Sequence, residues 1–250
     1  MADTYAVLLN DDEPLDLRVA AEAMAEVLGF ATADVLQLLG LRSGILIEGL
    51  DHERARICAG SLQHEGISVR VVPDAKVVEL PELLTLTAAR VLDEGLEFLG
   101  DGKHGVASWN ELVWIDLVHV HNVAQEKFDD WKVVKSGGGR MNVNRYTNQR
   151  AVSRWPPHVD IVSYEPWLLL RIPQDGFQFA TTGLKVHENR KQNLNALCIA
   201  VASRAPDISL GPGMQWFRDG SPPRENRVPG DAVYRNSLRW RLTNLFLETA

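Results

Sequence analysis

The chain opens on an apolar run, Tyr5-Ala-Val-Leu-Leu9, that passes at once into the turn Asn10-Asp-Asp-Glu-Pro14. Beyond it, Leu17, Ala20, Ala21, Met24, Val27 and Leu28 recur at helical spacing, and Gly29 supplies a stop. A short apolar run, an acidic turn and an amphipathic helix commit the start of the chain to a β-turn-α unit. Asn and Asp can accept bonds from free backbone N–H groups and Pro suits a first helical turn, so Asn10 to Pro14 are expected to cap the helix.

The pattern continues in short pieces. Thr32 to Leu39 predicts a second helix, with Thr32 as cap and Gly40 as breaker, and Ile45-Leu-Ile47 a brief strand. Asp51 is placed to cap a third helix from His52 to His64, with Ala55, Cys58, Ala59 and Leu62 inward; Ile67 to Val72 then alternates as a closing strand. The order β-α-α-(β)-α-β describes a three-helix layer on a small antiparallel sheet.

Residues 4–73 thereby resemble the ClpS adaptors, through the Asn10-Asp11-Asp12 turn and the helix after it. Through Gly44-Ile-Leu-Ile-Glu-Gly-Leu50 and Glu65-Gly-Ile-Ser-Val69 they also resemble the C-terminal domain of the ribosomal stalk protein. The resemblance implies a non-enzymatic adaptor whose Asn10, Asp11 and Asp12, with the adjacent Leu15, grip the α-amino group of a peptide that has a bulky first residue. It implies a partner such as an AAA+ unfoldase or a translation-related factor. A carboxylate and an amide oxygen suit an ammonium chemically, through charge-assisted hydrogen bonds. The same turn could equally do no more than cap the helix.

Charge separates this segment from the rest. Residues 1–75 hold 13 acids against 5 arginines and no lysine, while the remaining 175 hold 20 acids against 21 bases, so the net −7 lies entirely at the front. Such a segment repels nucleic acid and anionic lipid. Three stretches are expected: an acidic α+β domain over 1–75, a β-rich domain over 76–210, and a linker with a terminal helix over 211–250.

In the middle stretch, Val106 to Val123 alternates, with Trp109, Leu112, Trp114, Ile115, Leu117 and Val118 as core candidates. Asp160 to Ile172 predicts two strands around Glu165-Pro166, and Phe177-Gln-Phe179 a last short one. Asn189 to Ala202 reads as a helix with Leu194, Leu197, Cys198 and Val201 inward. Several strands and one helix suggest a partial barrel plugged by that helix. The glycine-turned hairpin followed by Trp109-x-x-Leu-x-Trp-Ile resembles a pleckstrin-homology-like or GRAM-like module. The fold class expected overall is α+β.

Residues 131–159 carry Lys132, Lys135, Arg140, Arg145, Arg150 and Arg154 and no acid, with Trp131, Tyr146 and Trp155 interleaved. This stretch is expected to be a surface loop, made mobile in its first half by Ser136-Gly-Gly-Gly139. Bases with aromatics can also bind single-stranded nucleic acid or lipid headgroups, which makes residues 131–155 the rival interface. In the tail, Leu238, Leu242, Leu245 and Phe246 form an apolar stripe that predicts a helix docked on protein.

Catalytic signals are sparse. His119 and His121 have the spacing of a two-His strand edge, without a third ligand at matching spacing. Asp11-Asp12 and Asp129-Asp130 are sequence neighbours, which point apart on a strand or helix. There is no nucleophile elbow, dinucleotide fingerprint or phosphate loop, so neither catalytic residues nor a cofactor is expected. Cys58 and Cys198 are expected to be free thiols in a cytoplasmic protein, since no leader and no apolar run of spanning length is present.

Overall fold

The computed structural model describes residues 3–40, 43–135, 141–223 and 225–249, with side chains described outside 124–149. It shows an α+β protein. The first unit contains β1 (Tyr5–Leu9), α1 (Leu17–Leu28), α2 (Thr32–Gly40), β2 (Ile45–Leu50), α3 (His52–His64) and β3 (Val69–Pro73). Its three strands form an antiparallel sheet in the order β2-β1-β3, on which α1 and α3 pack. The predicted cap holds at α3, where the Asp51 carboxylate accepts from the Arg54 N–H at 2.9 Å.

At α1 the expectation fails. The cap is Asp16, whose carboxylate accepts from the backbone of Arg18 and Val19 at 3.0 and 3.2 Å, and Pro14 lies before the helix. Asp16 takes the cap because it immediately precedes the first helical residue in an extended conformation, whereas the earlier acids lie in an irregular segment farther from the free helical N–H groups. Asn10 to Glu13 are thus released from the capping role.

The second unit contains β4 (Glu82–Val91), β5 (Gly95–Gly100), β6 (Lys103–Ser108), β7 (Leu112–Val120), β8 (Asn122–Lys135), β9 (Met141–Arg154), β10 (Pro157–Ser163), β11 (Leu168–Pro173), α4 (Arg190–Arg204), β12 (Ser209–Leu210), α5 (Gln215–Asp219), β13 (Arg227–Val228) and α6 (Asp231–Thr249). The main sheet runs β12-β7-β10-β11-β4-β5-β6, with β13 beside β7. Strands β4 to β7, β10 and β11 feed one apolar cluster closed by Leu194, Leu197, Cys198 and Val201 of α4, so the sheet curls around that helix. Phe177 and Phe179 join this cluster from a non-strand segment, correcting the short strand expected there.

The last helix, α6, is central. Tyr234, Leu238 and Leu242, four apart, meet Trp114, Val118, Val162 and Leu169 on the sheet face turned away from α4. Trp240 and Leu247, seven apart, join the core of the first unit. The two sets lie on opposite sides of one helix, and a helix apolar on opposite sides is built to be buried between two bodies. Both cysteines are free and buried. Among the described residues, no helix is long and apolar enough to cross a membrane.

Candidate functional site

The turn singled out in the sequence lies against α6. Asn10 donates its side-chain N–H to Ser68 Oγ at 2.9 Å, tying the turn to the start of β3. Asp11 Oδ1 accepts from the Glu13 backbone at 3.3 Å, an exposed local turn. Asp12 pairs with the Arg241 guanidinium of α6 at 2.5–2.6 Å. Leu15 packs half-buried against the first core, and Leu17 remains exposed. Asp11, Asp12, Glu13, Leu15 and Leu17 bound, with Gly44 and Trp240, a cleft of about 270 Å³, and the charged groups among its described lining residues are the three acids. Of the three acids, Asp12 is occupied by Arg241; Glu13 is exposed.

Arg241 connects this cleft to charge buried under α6. Its guanidinium lies 5.2 Å from the Trp240 ring and its field reaches Asp116. Asp116 of β7 pairs in register with Asp160 of β10, and Asp160 with Arg171 of β11, making a polar row across three strands. Arg171 grips Asp160 with two bonds at 2.9 and 2.8 Å and reaches Asp231 of α6 at 2.8 Å. Burial alone would raise the Asp160 carboxyl, but His158 and the Arg171 fork outweigh it and hold it at about 2. Burial pushes Asp116 up to about 7, against the Gly213 N–H and Arg241.

A carboxyl titrating near neutrality suits proton transfer, yet Asp116 is 1 % exposed, accepts from the Gly213 N–H and the Asn226 side chain, and faces a cavity of only about 80 Å³. A Cβ at Gly213 would stand 1.8 Å from the Leu117 carbonyl oxygen, and one at Gly211 would stand 2.4 Å from the Asp116 carboxyl carbon. Only glycine permits that approach, and nothing the size of a substrate passes it. Asp116 is therefore a structural acid, with a measurable signature. Its folded value exceeds that of the unfolded chain, so the native state keeps a proton that the unfolded state releases. Stability from this group is greatest below about pH 4 and falls as pH rises to about 7. Asp116→Asn is expected to stabilise the protein by about 2–4 kcal/mol at pH 8 and scarcely at pH 4, read by urea denaturation at the two pH values. Equal effects at both would show that the Asp116 carboxyl titrates alike in the folded and unfolded chain.

The expected basic loop is instead a β-hairpin. Strands β8 and β9 pair from Asn122↔Arg154 to Lys135↔Met141, in a two-stranded sheet of their own. The ladder keeps the register of β7 and β10, which pair at His119↔Pro157, so one antiparallel ribbon runs out of the main sheet. At roughly 3.4 Å per residue its free part is about 40 Å long. At its base, Trp155 meets the His121 ring at 4.9 Å and the Arg227 guanidinium at 5.6 Å. His121 Nε2 lies 2.5 Å from Ser153 Oγ, and His119 is buried on β7; among the described residues no cluster of three or more metal-ligating side chains forms.

The pairing alters the charge of this segment. Arg150 stands opposite Glu126 and Arg145 opposite Trp131, next to Asp130 in the chain; Lys132 pairs with Asn144 and Lys135 with Met141. The partner strand thus brings in Glu126, Asp129 and Asp130, which the acid-free stretch 131–159 does not contain. Arg150 and Arg154 are exposed. Arg140 and the glycines 137–139 lie outside the described residues.

Sequence reasoning passed over the polar row and Trp240. A signal existed for the row: Asp116, Asp160 and Arg171 each interrupt an apolar strand, and a lone charge there demands a partner across the sheet. No family model matches the chain, and neither a curated protein nor a solved structure does.

Proposed function

We propose that the protein is a non-catalytic adaptor or scaffold that binds a positively charged protein segment in the acidic cleft between the Asn10–Leu15 turn and α6. The observation that carries this reading is the release of Asn10 to Glu13 from helix capping. Acids that cap no helix stand beside an apolar wall; among the described lining residues none is a lysine or arginine, and Asp12 alone of the three acids is paired, with Arg241 of α6. A peptide's ammonium would take the carboxylates of Asp11 and Glu13 through charge-assisted bonds, and its first side chain would lie along Leu15 and Leu17.

The test is fluorescence anisotropy of a labelled peptide with a free N-terminal leucine, compared with its N-acetylated form. Acetylation, or the double change Asp11→Asn with Glu13→Gln, is expected to weaken binding about tenfold or more, as loss of a charge-assisted bond does. Binding indifferent to both overturns the assignment. The rival reading, an anion-binding ribbon at Lys132 to Arg154, is disfavoured by the acids that its register interleaves. An oligonucleotide bound with steep salt dependence would favour it instead.

A further inference from the structure

A second pocket lies where three parts of the chain meet: the connector at Val78-Glu79, the turn between β10 and β11, and the far end of α6. Three aromatic rings bound it. Tyr164 and Trp167 are 6.3 Å apart, and Phe246 lies 6.0 Å from each, with every pair tilted by 51° to 70°. The Trp167 indole is fixed by donating its N–H to the Glu79 carbonyl at 3.2 Å. Tyr164 is 60 % exposed, so its ring is open to an incoming group. Two carboxylates, Glu79 and Glu165, line the same pocket, and none of its lining residues is a lysine or arginine.

The geometry points to a recognition site for an alkylated ammonium group presented by the side chain of a partner polypeptide, as on a methylated lysine. With sides near 6.1 Å, the ring triangle has its centre about 3.5 Å from each centroid. All three rings line the one pocket, so a cation entering it comes within the roughly 6 Å over which an aromatic ring attracts it. Glu79 and Glu165 add opposite charge at the mouth. An alkylated ammonium is favoured over a bare one because its methyl groups meet aromatic surface and surrender little hydration. The opening is wide, so a free small molecule would stay largely exposed, whereas a side chain delivered by a larger body is covered by that body. This pocket is separate from the acidic cleft: Phe246 and Trp240, six residues apart on α6, face different neighbours.

The full chain, nitrogen-labelled at its tryptophans, is titrated with choline and with neohexanol, its neutral carbon counterpart, while the Trp167 indole signal is followed. Choline is expected to bind about tenfold more tightly than neohexanol, the discrimination that cation–π contacts confer. Equal binding of the two, or no shift with either, overturns the proposal. A peptide with one trimethyllysine is then compared with the same peptide carrying norleucine and with choline itself. Tighter binding of the trimethyllysine peptide than of both supports a polypeptide occupant; choline binding as tightly overturns that part. Glu165→Gln, at an exposed position, is expected to weaken choline several-fold and leave neohexanol unchanged, and the ligand comparison on the unaltered chain needs no variant at all.

Discussion

Trp240→Ala is expected to cost about 3–5 kcal/mol, the range for deleting a large buried aromatic. The ring is 4 % exposed inside the core of the first unit, although it belongs to the last helix. Its indole N–H donates to the Leu9 carbonyl at 2.8 Å, and its face lies against Gly44, where a Cβ would stand 2.1 Å from the ring. Gly44 also has a φ of 85°, so backbone and contact both demand glycine there. Leu247 adds a second, partly buried apolar contact, and polar ties join the units as well. Arg239 forks onto Glu48 at 2.8 Å and donates to the Val78 carbonyl, Arg241 holds Asp12, and Arg70 bonds Asn244. The Arg239–Glu48 fork, about a quarter exposed, is the strongest of these polar ties, yet it lies outside the buried apolar contact that the indole supplies. Without Trp240 the first unit should open ahead of the sheet. Amide exchange would then show selective loss of protection in β1 and β2, and urea unfolding would broaden into two steps. A single sharp transition within about 1 kcal/mol of the parent would mean that the indole is not the main tie.

The second large effect is expected at Arg171. Arg171→Met keeps much of the side-chain length but strands the Asp160 carboxylate, which is fully buried, and costs about 3–5 kcal/mol at pH 7. The pH dependence supplies the diagnosis. Asp160 is held at about 2 in the folded protein, below its unfolded value, so it contributes stability above about pH 4 that is lost as pH falls toward 2. In Arg171→Met the arginine's share of that contribution is removed, His158 keeps its own, and the carboxyl gains from protonation, so the deficit against the parent should shrink on acidification. The double change Arg171→Met with Asp160→Asn should recover much of the loss, because exchanging both members of a buried pair is far milder than orphaning one. A deficit that is the same at pH 4 and pH 7 would assign the loss to packing alone.

How much of this was legible depends on where each element finds its partners. The helix at His52–His64 and its Asp51 cap stand where the sequence put them, because capping and amphipathic spacing are local. The strand pair on either side of Glu165-Pro166 was equally clear. The ribbon of β8 and β9 was read as a loop because apolar alternation reports a buried sheet face, and a ribbon outside any larger sheet imposes none. Trp240 was missed because the stripe of Leu238, Leu242 and Leu245 accounts for only one side of α6. Its second side becomes apolar for a reason lying far back in the chain, in Gly44 and, 231 residues away, Leu9. At the cleft, the sequence supplied the acids but could not choose between capping and binding. Asp16 decides that choice, through hydrogen bonds that depend on where the backbone turns.

The position of α6 also sets a timetable. The Leu9 carbonyl and the indole it binds are 231 residues apart, and at a synthesis rate of about 5–20 residues per second the carbonyl waits roughly 10–50 s for its donor. Through the later half of that interval, once β7 (Leu112–Val120) has been made, β1 and the outer face of β7 exist without the helix that covers both. The nascent chain therefore carries two uncovered apolar surfaces at once, and a single late segment closes them together.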